Sequence, residues 1–156
     1  MNSTPAPWTA NRAGPRAEPY DASMRVIIFG AGAVGSVIGG RLRQGGSDVV
    51  LVARPAHAAA IQQGGLALRT ARGTDVIDIQ AVTSIDQVTP GADDVVVITA
   101  KTQDTPAIHA QLVDWNGDVP IVCATNGVEH ERMALRRFGR VYGMVVQLPA
   151  QFEKPA

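Results

Sequence analysis

From Met24 onward, short runs of aliphatic and β-branched residues alternate with stretches whose apolar positions recur at helical spacing. Arg25 to Phe29 (RVIIF) is continuously apolar after its first residue, as a strand covered on both faces requires. Beyond the glycine-rich stretch Gly30 to Gly35, Val34, Val37, Ile38 and Leu42 share one helical face until Gly45-Gly46 stops the helix. Asp48 to Ala53 (DVVLVA) is a second run of the buried-strand kind. Strand, helix and parallel strand make one βαβ unit with a right-handed crossover.

The alternation continues. Pro55 opens a helix through Ala58 and Ile61 that Gly64-Gly65 ends. Leu66 to Thr70 and Thr74 to Ala81 flank Ala71-Arg72-Gly73 as a hairpin. Asp94 to Thr99 (DVVVIT) is a third buried strand, followed by a helix with Thr105 as N-cap and Pro106 at its first position. Ile108, Leu112 and Val113 give that helix its inward face. Pro120 to Ala124 (PIVCA), a helix from about Val128 to Phe138, and a strand from Val141 to Leu148 complete the pattern. The fold class is α/β, a doubly wound, mostly parallel sheet in a single domain over 24–156.

Composition changes this picture at one end. Residues 1–23, with Pro5, Pro7, Pro15 and Pro19, lack hydrophobic periodicity and read as a disordered tail, with Met24 as an alternative start. Lys+Arg and Asp+Glu are equal at 14 each, which gives no electrostatic reason to expect nucleic acid or an anionic membrane. No apolar run approaches the ~20 residues that span a bilayer. The single cysteine, Cys123, excludes an internal disulfide and a cysteine-based zinc site. The expectation is a soluble, cytoplasmic protein.

The chemistry concentrates in Gly30-Ala31-Gly32-Ala33-Val34-Gly35. Gly30 allows a sharp turn out of the strand, Gly32 lets phosphate approach the backbone, and Gly35 lets helix and strand pack closely. The helix that starts near Ala33 aims unpaired N–H groups at that phosphate. A strand before the loop, and a helix and second strand after it, are the context that makes this a Rossmann-type dinucleotide motif. At the end of the second strand an acidic residue would bind the ribose 2′-OH of NAD. Here Val52-Ala53-Arg54 stands instead, and the Arg54 guanidinium suits a 2′-phosphate, which favours NADP(H). A solvated loop arginine is the alternative. Lys101 and Asn126 each follow the C-terminal end of a strand, where open α/β sheets bind ligands. They are candidate cofactor or substrate contacts, against the plain alternatives of a surface lysine and an Asn-Gly turn.

Other residues carry less. His57, His109 and His130 have no metal-ligand spacing and read as solvent-facing helix positions, so no metal site is expected. Cys123 reads as inert core, Ser36 lacks a nucleophile-elbow context, and Asp93-Asp94 reads as a solvated turn.

Taken together, FGAGAVGS, LVAR-PAH, GGLAL, DDVVVITAKT, ATNGVE and YGMVVQLPA, in this order over Met24 to Ala150, resemble the N-terminal domain of the ketopantoate reductase (2-dehydropantoate 2-reductase) family. The resemblance implies NADPH-dependent reduction of a small 2-oxo acid, ketopantoate to pantoate, in pantothenate biosynthesis. It matches Gly30 to Gly35 with the cofactor loop and Arg54 with the 2′-phosphate contact. Lys101 matches the lysine after the third major strand, and Asn126 the asparagine that meets cofactor and substrate. Glu129 stands where many relatives have glycine. Family members continue into a helical second domain that carries the proton-donating lysine. No residue here is matched to that role, and no catalytic residue is assigned. Three readings follow: a reductase that needs a separate C-terminal-domain polypeptide, a non-catalytic NADP-binding module or remnant, or a Rossmann dehydrogenase of another class, against which the ordered motif set argues. The face around Val145, Val146 and Leu148 is expected to be exposed and to favour self-association.

Overall fold

The computed structural model describes residues 24–153 except Val128. The proline-rich tail and the choice of start lie outside the described residues. In chain order the elements are β1 (Arg25–Phe29), α1 (Ala33–Gln44), β2 (Asp48–Val52), α2 (Pro55–Gly64), β3 (Leu66–Thr70), β4 (Gly73–Ile77), β5 (Gln80–Val82), β6 (Asp94–Ile98), α3 (Thr105–Asn116), β7 (Ile121–Cys123), α4 (Glu129–Ala134) and β8 (Val141–Gly143). Among the described residues six strands form one sheet in the order β5-β2-β1-β6-β7-β8, every pairing parallel, while β3 and β4 form a separate antiparallel hairpin. The order reverses beside β1, so the sheet is doubly wound with its switch point next to the glycine-rich loop.

The unbroken apolar runs follow from this placement. Within β1, Ile27 and Phe29 face one layer, with Ile108, Leu112 and Phe138, while Val26 and Ile28 face the other, with Ala58, Ile61 and Leu66. Ile27, Ile28, Leu51, Ile98 and Ile121 are wholly buried, each stabilising the fold by ~1.5–3 kcal/mol. The innermost face of α1 is made of small residues, Gly35, Ser36, Gly39 and Gly40; Val37, Ile38 and Leu42 are only partly buried beside them. A Cβ on Gly39 would meet Leu51 at 2.6 Å, and one on Gly40 would meet Leu68 at 2.7 Å. Their absence lets α1 lie flat between the sheet and the hairpin.

Several boundaries differ from the pattern read along the chain. The stretch from Thr74 to Ala81 is not one strand: β4 pairs with β3, and the chain then turns at Asp78-Ile79 so that β5 pairs with β2. The last helix is shorter than expected, because after Ala134 it tightens into turns that end at the buried Phe138. The last strand stops at Gly143, since Met144 N–H bonds to the Cys123 carbonyl where β7 itself ends, leaving no ladder beyond. Thr105 is not the cap of α3; Asp104 holds that position without a side-chain cap bond, and Thr105 lies buried inside the helix.

Asp94 also departs from expectation. It is buried and takes a bidentate ion pair from Arg25, at 2.9 Å from Nε and 2.8 Å from the terminal nitrogen. The Gly91 N–H donates to the same carboxylate at 2.6 Å, and Arg25 also donates to the Thr89 carbonyl. Arg25 and Asp94 are register partners at the N-terminal ends of β1 and β6, so this lock sits at the sheet edge opposite the glycine-rich loop.

Candidate dinucleotide-binding site

The loop between β1 and α1 is held by backbone bonds to its neighbours. Gly30 adopts φ +107°, and a Cβ there would sit 2.9 Å from the Ala100 nitrogen, so only glycine fits. The N–H groups of Gly30 and Ala31 both donate to the Val52 carbonyl, tying the loop to the end of β2. A Cβ on Gly35 would fall on the Gly30 carbonyl oxygen and within 2.5 Å of Thr99 Oγ1. That threonine hydroxyl donates to the Gly30 carbonyl at 2.6 Å and fixes the turn from the β6 side. Thr99 was legible only as a strand residue; its role appears once β6 lies beside β1.

Gly32 is the N-cap of α1, carries no side-chain cap bond, and has no acidic residue in the turn that follows. Ser36 N–H is bonded back to the Gly32 carbonyl, which leaves the N–H groups of Ala33, Val34 and Gly35 at the open helix end. A Cβ on Gly32 would meet nothing within 4 Å. The space before the helix dipole is therefore open, and an anion placed there gains both hydrogen bonds and favourable charge.

The remaining candidates fall on the two sides of this loop. Arg54 is exposed at the N-cap of α2, two residues beyond the Val52 carbonyl that anchors the loop. Lys101 and Asn126 lie on the other side, past β6 and β7, and line one cleft of about 270 Å³ with Val34, Thr125 and Val146. Gly127, at φ +93°, completes the Asn-Gly turn that presents Asn126. Thr125 Oγ1 is buried in this region with no hydrogen-bond partner among the described residues, leaving a polar group for a ligand to satisfy. Arg54 is not among the residues of that cleft. An elongated molecule with a central diphosphate could engage all three regions across the C-terminal sheet edge.

The histidines are not solvent-facing. His57, His109 and His130 are all buried, and desolvation lowers the pKa of each below the ordinary imidazole value. Their partners lie inside the fold: His57 Nε2 is 3.4 Å from Ser36 Oγ, His130 lies against Thr105 Oγ1, and the His109 ring meets Phe138 edge-on. For His130 the neighbouring Glu131 opposes the lowering that burial causes. Helix periodicity did not show this, because α3 and α4 bury polar rings along with their aliphatic faces. Burial, with Glu131 nearby, pushes the Cys123 thiol up to about 11, as suits an inert core position. Among the described residues no group of three His, Cys, Asp or Glu could hold a metal ion, and no helix is long and apolar enough to cross a membrane.

With this geometry in place, comparison with known proteins gives a consistent result. The family model described as "Ketopantoate reductase PanE/ApbA" matches residues 26–156. A 2-dehydropantoate 2-reductase of Pyrococcus horikoshii is 32% identical over 133 residues, covering 85% of this chain and 42% of that protein. One from Mesorhizobium japonicum is 36% identical over 108 residues, 67% of this chain and 32% of that protein. Among solved structures, a PanE/ApbA family ketopantoate reductase from Ralstonia eutropha superposes with a TM-score of 0.78 at 30% identity, covering 85% of this chain and 44% of that one. The chain thus spans less than half the length of these relatives.

Proposed function

The chain belongs to the ketopantoate reductase family, and on that premise we propose that it binds NADP(H) across the C-terminal edge of its sheet, as the nucleotide part of a 2-oxo acid reductase. The observation that carries this reading is the open space before Gly32, at an uncapped helix start flanked by Arg54 on one side and the Lys101–Asn126 cleft on the other. In this reading the N–H groups of Ala33, Val34 and Gly35 hold the pyrophosphate, with Gly30 and Ala31 shaping the loop around it. Arg54 pairs with the 2′-phosphate, a charge-assisted contact that NADH lacks. Lys101 and Asn126 orient the nicotinamide ribose and the substrate 2-oxo acid. When bound, the reduced nicotinamide supplies the hydride for the carbonyl carbon.

Of the described residues lining the cleft only Lys101 carries a charged side chain. Its Nζ is suited to hold a substrate carboxylate, and a separate proton donor is then needed for the reduced carbonyl. We therefore assign this chain cofactor binding without turnover on its own, whether as one part of a reductase or as a binding module. NADPH should raise its melting temperature more than NADH does at equal concentration. Equal stabilisation by the two nucleotides refutes the Arg54 assignment, and steady oxidation of NADPH by ketopantoate with this chain alone refutes the assignment of inactivity.

The edge beyond β8 bears on partners. Tyr142, Met144, Val145 and Leu148 expose apolar surface there, Val145 being 85% exposed, whereas Val146 packs against the core. The proposed consequence is self-association through this strip at high concentration. Light scattering that shows only monomer at all concentrations contradicts it.

A further inference from the structure

A site that prefers NADPH to NADH must hold two anion-binding points at a set separation, one for the pyrophosphate and one for the 2′-phosphate. Here the two points lie on the first turns of adjacent helices: α1, whose uncapped start faces the open space at Gly32, and α2, whose N-cap is Arg54. One side chain joins these turns. His57, in the first turn of α2, places Nε2 3.4 Å from Oγ of Ser36 in the first turns of α1. Ser36 donates in turn to the Ala31 carbonyl at 3.2 Å, inside the glycine-rich loop. With the hydroxyl proton so committed, Oγ accepts from the Nε2–H tautomer of His57. The His57 backbone N–H donates to the Arg54 carbonyl at 3.0 Å. The connection therefore runs without a gap from Arg54 through His57 and Ser36 to Ala31.

Packing alone does not account for this arrangement. Both side chains are buried, Ser36 to 6% and His57 to 7% exposure, and Phe152 meets the imidazole edge-on with ring centroids 5.0 Å apart. An aliphatic pair would fill the same space without the cost of desolvating two polar groups. What a hydrogen-bonded pair adds is direction, a fixed distance between the two helix starts.

Resting on the Arg54 reading above, we propose that His57 is a specificity-determining positioning residue, whose imidazole sets the Arg54 turn at the distance from the pyrophosphate loop that NADPH requires. NADH has no 2′-phosphate and does not engage the Arg54 point, so the tie matters little to it. His57→Leu keeps most of the volume and removes the donor. It should weaken NADPH binding about fivefold, the worth of one ordinary hydrogen bond, and NADH binding less than about twofold. His57→Gln, which carries an N–H close to the Nε2 position, should recover most of the loss. His57→Phe retains a ring against Phe152 and provides a second apolar variant should the leucine form fail to fold. The measurements are nucleotide titrations by fluorescence, with melting of each nucleotide-free variant as the check on folding. A selective loss for NADPH with recovery by glutamine supports the tie. A wild-type preference for NADPH that the apolar variants leave unchanged, or an equal loss for both nucleotides, overturns it. Wild-type chain that binds both nucleotides equally overturns the Arg54 reading and the role of His57 with it.

Discussion

Gly32→Ala should separate cofactor binding from folding. The backbone at Gly32 has φ −81° and ψ −160°, a conformation open to alanine, and the added Cβ would meet no protein atom within 4 Å. The folding cost is the modest one of alanine at a helix N-cap, below about 1 kcal/mol, or a few degrees in melting temperature. The methyl group would occupy the space in which a phosphate must approach the start of α1. Displacing the phosphate from two N–H donors, each worth ~1.5–3 kcal/mol to a charged acceptor, should weaken nucleotide binding by a factor of about 10² or more. Gly35→Ala is the contrasting variant, because its Cβ would strike the Gly30 carbonyl and Thr99 Oγ1. Overpacking of this kind costs about 3 kcal/mol and should lower the melting point by ~10 °C before any nucleotide is added. Thermal melts with and without NADPH, together with fluorescence titration, distinguish the two. A Gly32→Ala protein that binds NADPH with wild-type affinity, or that melts as low as Gly35→Ala, would refute the reasoning.

Three further expectations concern the body of the fold. Asp94→Ala leaves Arg25 without its carboxylate and frees the Gly91 N–H, which should cost ~3 kcal/mol with little change in nucleotide affinity, since the pair lies at the opposite sheet edge; a melting shift under about 3 °C contradicts this. His57, His109 and His130 have lowered pKa values in the folded chain, so below the ordinary imidazole value of about 6.5 the unfolded state takes up protons that the folded state does not. Stability should therefore fall as pH drops through that value and level off below the folded values, and melts from about pH 8 to 5 that stay flat contradict it. Cys123, with its thiol pushed up to about 11 inside the core, should resist a disulfide reagent in the native protein and react once guanidinium unfolds it.

The parallel sheet was legible because β1, β2 and β6 are each buried on both faces, which imposes an unbroken apolar run on their sequences. The loop was legible for a similar reason, since Gly30 and Gly35 occupy positions that a Cβ cannot enter. What escaped the pattern depends on contacts distant along the chain. Thr99 reads as the end of a strand until β6 sets its hydroxyl on the Gly30 carbonyl. Asp94 reads as a solvated turn residue until Arg25, 69 positions away, pairs with it. His57 and Ser36 sit on different helices, and neither helix pattern reveals that they meet. The end of β8 was missed because strand propensity continues through Met144 to Leu148 after the partner strand has stopped.

The most direct test of the central claim is a calorimetric titration of the wild-type chain with NADPH and with NADH, repeated on Arg54→Ala. The account predicts saturable binding of one NADPH per chain, tighter than NADH by about tenfold or more, with the difference nearly abolished in Arg54→Ala. Absence of binding by either nucleotide, or a preference for NADPH that survives the loss of Arg54, would contradict it.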